Sequence, residues 1–138
     1  MVRERALPPH LSRRLARAIF APNWIAELTI AKMMSAEDRE LLDAFARRIR
    51  LVAPSAAIWA FGSRARGSAH PESDLDLLVV VPEATRDLRE SVYSSAWEIG
   101  FEHGRLLAPV ILTAEDFERG PMSASTLVAN VRREGVAA

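Results

Sequence analysis

Gly62, Ser63, Asp74 and Asp76 are the residues whose types and spacing could do chemistry. Residues two apart on a strand point to the same side, so Asp74 and Asp76, at the start of the apolar run D74-L-D-L-L-V-V-V81, project together. Two carboxylates held that close repel one another unless a cation lies between them. Oxygen ligands at this spacing suit Mg²⁺ or Mn²⁺, which keep several waters and complete their shell with substrate phosphates. A phosphate-bearing partner is therefore implied. Gly62 lets backbone N–H groups approach closely, and the Ser63 hydroxyl can donate to a phosphate oxygen. Arg64 and Arg66 can add positive charge on the same loop, or can stand as solvated loop charges. A loop that grips the terminal phosphates beside a metal that polarises phosphorus points to nucleotidyl transfer with pyrophosphate leaving.

The flanking sequence supplies elements to position these groups. Ser35 followed by Asp38 reads as an N-cap with an acidic first turn, and Leu41, Leu42, Phe45 and Ile49 recur at helical spacing, which predicts a helix over 36–52. Pro54 ends it, and A56-A-I-W-A-F61 is a first strand stopping at Gly62. The polar 62–73 is too long for a hairpin turn and has room for a short helix; 74–81 is then a second, deeply buried strand closed by Pro82. Leu88, Val92, Ala96, Ile99 and His103 share a face of a long helix that stops at Gly104, and L106-L-A-P-V-I-L112 is a third strand. Thr113 caps a short helix over 114–119, and a last helix runs from about Ser123 to Glu134. Near the start of the chain, 10–20 reads as an amphipathic helix with Arg13, Arg14 and Arg17 on its basic side, while 23–34 fits a second helix or an extended segment.

The chain has 138 residues, 49% of them apolar, enough for one domain with a real core. The expected division is an N-terminal helical extension (1–35), a core (36–119) and a C-terminal helix (120–138). Eighteen acidic and eighteen basic residues cancel, so no overall field argues for nucleic acid or an acidic membrane surface. Arg3, Arg5 and the three helix arginines make a local basic cluster whose commoner role is a solvated face. Without cysteine there is no disulfide, thiolate metal site or cysteine nucleophile, which suits a reducing cytoplasm. No apolar run reaches membrane-spanning length, and no signal-peptide core stands near the start.

Gly62-Ser63, ten further residues, then Asp74-Leu75-Asp76 reproduces the GS-x10-DxD signature of the minimal nucleotidyltransferases, relatives of the DNA polymerase β superfamily. The order of elements from about Ala36 to Arg119 resembles that family too, and N130-V-R-R-E-G-V136 looks like its closing helix. The resemblance implies an α/β nucleotidyltransferase fold, a small mixed sheet flanked by helices. It implies use of a nucleoside triphosphate, ATP above all, with Mg²⁺ or Mn²⁺, and transfer of a nucleotidyl group onto a hydroxyl. It assigns Asp74 and Asp76 to the metal and Gly62, Ser63, Arg64 and Arg66 to the nucleotide. Many members are antitoxins paired with a HEPN-type toxin, and some silence that toxin by AMPylating its tyrosine.

One departure qualifies that expectation. Active members often carry a third carboxylate on the strand after the long helix, and Ala108 stands there in A108-P-V-I-L-T113. Glu98 or Glu102 would have to reach over from the helix to compensate. A second reading is therefore a catalytically weak or inactive nucleotide- or protein-binding module that neutralises its partner by contact alone, and a third is transfer to a small molecule such as an aminoglycoside; under any of them a homo- or hetero-oligomer is an expected state. His70, Ser68 and Ser73 read as turn residues, Tyr93 as an ordinary packing residue, and Trp59 and Trp97 as core or interface.

Overall fold

A computed structural model describes residues 33–138, which lie in one compact unit. The helix expected over 10–20, the basic cluster and nearly all of 23–34 lie outside the described residues. Helix α1 (Ala36–Val52) starts where Ser35 Oγ accepts the Asp38 N–H, with Glu37 and Asp38 beside the positive end of the helix dipole. Its buried stripe is Leu41, Leu42, Phe45, Ala46 and Ile49. Strand β1 (Ala57–Phe61) leads directly into the one-turn helix α2 (Gly62–Arg66), and Gly67 ends that turn in the left-handed region at φ 72°. Strand β2 (Leu75–Val81) precedes the long helix α3 (Arg86–His103), capped by Thr85 and ended by left-handed Gly104. Strand β3 (Leu107–Thr113) and the short helix α4 (Ala114–Glu118) follow, with Thr113 Oγ1 accepting the Asp116 N–H.

The four strands lie in the order β3-β2-β1-β4, with β2 parallel to β3 and both other pairings antiparallel. This is the mixed sheet flanked by helices that the family resemblance implies. Leu75, Leu77, Val79 and Val81 form one core with α1 and α3, while Leu78 and Val80 join Leu112, Val128 and Val131 on the opposite face. Burial on both faces explains the unbroken apolar run of β2. Pro109 fits because β3 is an edge strand with an unpaired outer row of backbone groups.

Two expectations need correction. The last helix does not begin near Ser123: Pro121–Ala124 form a 3₁₀ turn, Ser125 is an extended cap whose hydroxyl accepts the Val128 N–H, and α5 runs Thr126–Glu134. After it, Val136–Ala137 form β4 against β1, pairing Trp59 with Ala137 and Ala60 with Val136. The α3 surface also differs from the expectation. Tyr93 is exposed rather than packed; of the two places expected for Trp97, core or interface, its 67% exposure excludes the core, and its ring lies tilted against Phe101 at 5.9 Å. Trp59 is half-buried against Phe117 at 5.5 Å.

Candidate active site

The antiparallel register opposes Phe61 to Asp76, and the parallel register sets Asp76 beside Ala108. Side chains in register share a face, so Asp76 lies on the α5 side of the sheet, at the end of the row Leu78 and Val80. Asp74, two residues earlier and exposed, precedes the ladder, which opens where the Leu75 N–H donates to Leu106 O at 2.9 Å. Gly62 follows Phe61 directly, and its φ of 73° turns the chain across Asp76. A Cβ placed on Gly62 would stand 2.5 Å from Asp76 Oδ2. The glycine of the GS pair is therefore required both for its left-handed backbone and for the space it leaves. Ser63 is half-buried one residue on, its carbonyl accepting the Ser68 N–H at 3.0 Å.

The electrostatics fit a cation. Burial raises the Asp76 pKa above its ordinary 3.8, repulsion from Asp74 raises it further, and the Arg66 guanidinium offsets part of this. Ionised Asp76 is thus disfavoured in the folded chain. Its contribution to stability is fully present below the unfolded value and is lost as pH rises through the elevated folded value. Asp76→Asn is accordingly expected to raise the melting temperature of the metal-free protein at neutral pH, with the difference shrinking as acid protonates the wild-type carboxyl. Thermal unfolding of both proteins across that range checks it; an unchanged or lower neutral-pH melting temperature in the variant would contradict it.

The two arginines part company. Arg66 is partly exposed, pairs with Glu134 of α5 at 3.3 Å, and lies close enough for its charge to act on Asp76. Arg64 departs from its expected place on the nucleotide, because its side chain turns inward and is only 8% exposed. It pairs with Asp38 at 3.2 Å and donates to the carbonyls of Ser73 at 2.6 Å and Pro71 at 2.9 Å. A polar loop with two arginines gives no sign of which one points in; the missing signal was Asp38, a carboxylate on the face of α1 that must be buried.

Among the described residues no third acid joins the pair. Among the described residues no group of three or more histidine, cysteine or acidic side chains could hold a metal. Glu98 is tied to Arg48 of α1, in the layer on the other face of the sheet. Glu102 is exposed on the same helix, whose buried side packs into that other layer. Two carboxylates beside the Gly62–Ser63 turn still suit a hard divalent ion that draws its other ligands from water and phosphate.

Residues 38–134, which contain this whole constellation, match the nucleotidyltransferase domain family. The chain belongs to that family. Among curated nucleotidyltransferase relatives, the bifunctional uridylyltransferase/uridylyl-removing enzyme of Bordetella pertussis is 33% identical over 94 residues, 63% of this chain. That of Bordetella parapertussis is 32% identical over 94 residues. In both cases the match spans only 10% of the relative's length. Among solved structures, a toxin–antitoxin with AMP-PNP is 22% identical, with a TM-score of 0.49 over 69% of each chain. The toxin–antitoxin MntA–HpeT gives 21% and 0.49 over 70% of this chain and 69% of that one. No described helix of this nucleotidyltransferase domain is long and apolar enough to cross a membrane.

Proposed function

We propose that this protein transfers a nucleotidyl group, AMP from ATP, to a hydroxyl of a partner protein, as the antitoxin of a HEPN-type toxin. The observation that supports this reading is the closeness of Gly62 to Asp76, which leaves no room for a Cβ and brings the Gly62–Ser63 turn to the carboxylate pair. Asp74 and Asp76 would hold Mg²⁺ or Mn²⁺, and Gly62, Ser63 and Arg66 would hold the triphosphate. When bound, the divalent ion supplies Lewis-acid polarisation of the phosphoryl oxygens. The chain's own groups fix the triphosphate so that the acceptor oxygen approaches the α-phosphorus in line with the leaving pyrophosphate. The new oxygen–phosphorus bond forms as the bond to pyrophosphate breaks, and the hydroxyl proton passes to solvent. Tyr93, Trp97 and Phe101, exposed in a row along α3, supply the aromatic area that protein interfaces use, in keeping with a protein acceptor.

The pairing of Asp76 with Ala108 favours a second reading, a module that binds its partner without turnover. The two are separated by Ala108→Asp, which would place a carboxylate in register with Asp76. General-base help contributes roughly 10² to 10⁴ in evolved sites, so an unadapted acid here is expected to raise the transfer rate about tenfold. Label from the α-phosphate of ATP, appearing on the partner, measures it. UTP is run in parallel because the curated relatives are uridylyltransferases. No transfer by either protein with either nucleotide would favour the contact-only reading.

A further inference from the structure

We infer that Arg64 is a positioning residue that clamps the two halves of the site together, with Asp38 as its anchor; this rests on the nucleotidyltransferase reading above. Arg64 follows Ser63 of the phosphate loop directly, and its Nε donates to the carbonyl of Ser73, the residue directly before Asp74, at 2.6 Å. The same guanidinium donates through Nη2 to Pro71 O at 2.9 Å and His70 O at 3.4 Å, so one side chain holds three carbonyls of the segment that leads into Asp74. Nη1 faces both carboxylate oxygens of Asp38, at 3.2 and 3.4 Å.

Asp38 is itself fixed. It is 2% exposed, sits in the first turn of α1 with its N–H on Ser35, and also accepts from Arg105, two residues before β3. Among the described residues no buried side-chain nitrogen or oxygen lacks a partner, so no buried polar atom of this cluster is left unpaired. The clamp therefore ties the phosphate loop, the approach to the carboxylate pair and the entry to β3 onto one buried carboxylate. A planar fork can hold carboxylate and carbonyls at once, whereas an ammonium cannot span them.

The test uses the full chain and Arg64→Lys, which keeps the charge beside Asp38 and gives up the fork. Two quantities are read well below both melting temperatures: backbone hydrogen exchange over residues 68–74 in the ligand-free protein, and affinity for Mn²⁺ with a non-hydrolysable ATP analogue. Loss of a residue that orients ligands through others typically costs about 10–100-fold in metal affinity, and that loss is expected here together with faster exchange confined to 68–74. Unchanged exchange in that segment, or unchanged affinity, would overturn the inference. If Arg64→Lys does not fold, Asp38→Asn, which leaves the carbonyl contacts and removes the anchor's charge, is read in the same two ways. Failure of the wild-type protein to bind Mn²⁺ and nucleotide would instead overturn the transferase reading, while the exchange data alone would then report whether Arg64 orders the loop.

Discussion

Asp76→Ala is expected to lower the rate of nucleotidyl transfer by about 10³-fold or more, because losing about 4 kcal/mol of charge stabilisation at the phosphoryl group corresponds to that factor. Asp74→Ala should do the same, since a single carboxylate leaves the ion half held. The structural costs of the two changes differ. Asp74 is exposed and precedes the ladder, so its removal should leave the melting temperature near that of the wild type. Asp76 is half-buried and disfavoured as an anion, so its replacement removes an unfavourable charge together with a little packing. Both variants are therefore expected to fold, so that their loss of activity reports on the site. Rates within tenfold of wild type in either folded variant would contradict the assignment.

Gly62→Ala has the second-largest expected effect, and it acts on both stability and rate. A residue with a side chain held at φ 73° costs about 1–3 kcal/mol. The added methyl would also have to displace the Asp76 carboxylate, from which it would lie 2.5 Å away. A misplacement of about 1 Å in a reacting constellation can cost about 10²-fold, so transfer should fall by about that factor in protein that remains folded. Equilibrium unfolding and label-transfer rates measured together check both parts. A variant with wild-type stability and rate would mean that the loop does not close on Asp76 as described.

Much of this arrangement was legible in the sequence because strong local signals agreed with tertiary packing. Ser35 and the recurrence of Leu41, Leu42, Phe45 and Ile49 fixed α1 at both ends, since a side-chain cap and a buried stripe act within the helix itself. The unbroken apolar run after Asp76 could only be a strand covered on both sides. The third strand after the long helix was legible as well, and its parallel register sets Ala108 beside Asp76.

What was not legible depended on distant partners or on very short elements. Arg64 looked like a phosphate ligand because Asp38, 26 residues away, gives no local sign that it will receive a guanidinium. Strand β4 has two residues, too few for any periodicity, and exists because β1 offers an open edge. The Pro121–Ala124 3₁₀ turn and the extended Ser125 delay the last helix, expected from about Ser123, to Thr126. Tyr93 was expected to pack on a patterned helix, yet the buried face of α3 is narrow and made by Val92, Ala96 and Ile99.

On the proposed function, Asp74, Asp76 and the Gly62–Ser63 loop transfer a nucleotidyl group to a protein hydroxyl. Its most direct test is a pair of reactions with the partner protein and Mg²⁺, one with ATP labelled on the α-phosphate and one with ATP labelled on the γ-phosphate. The expected result is α-label fixed covalently to the partner, γ-label released as pyrophosphate, and neither event with Asp74→Ala or Asp76→Ala. A tight complex in which the α-label never joins the partner, with neutralisation unchanged in both aspartate variants, would contradict it.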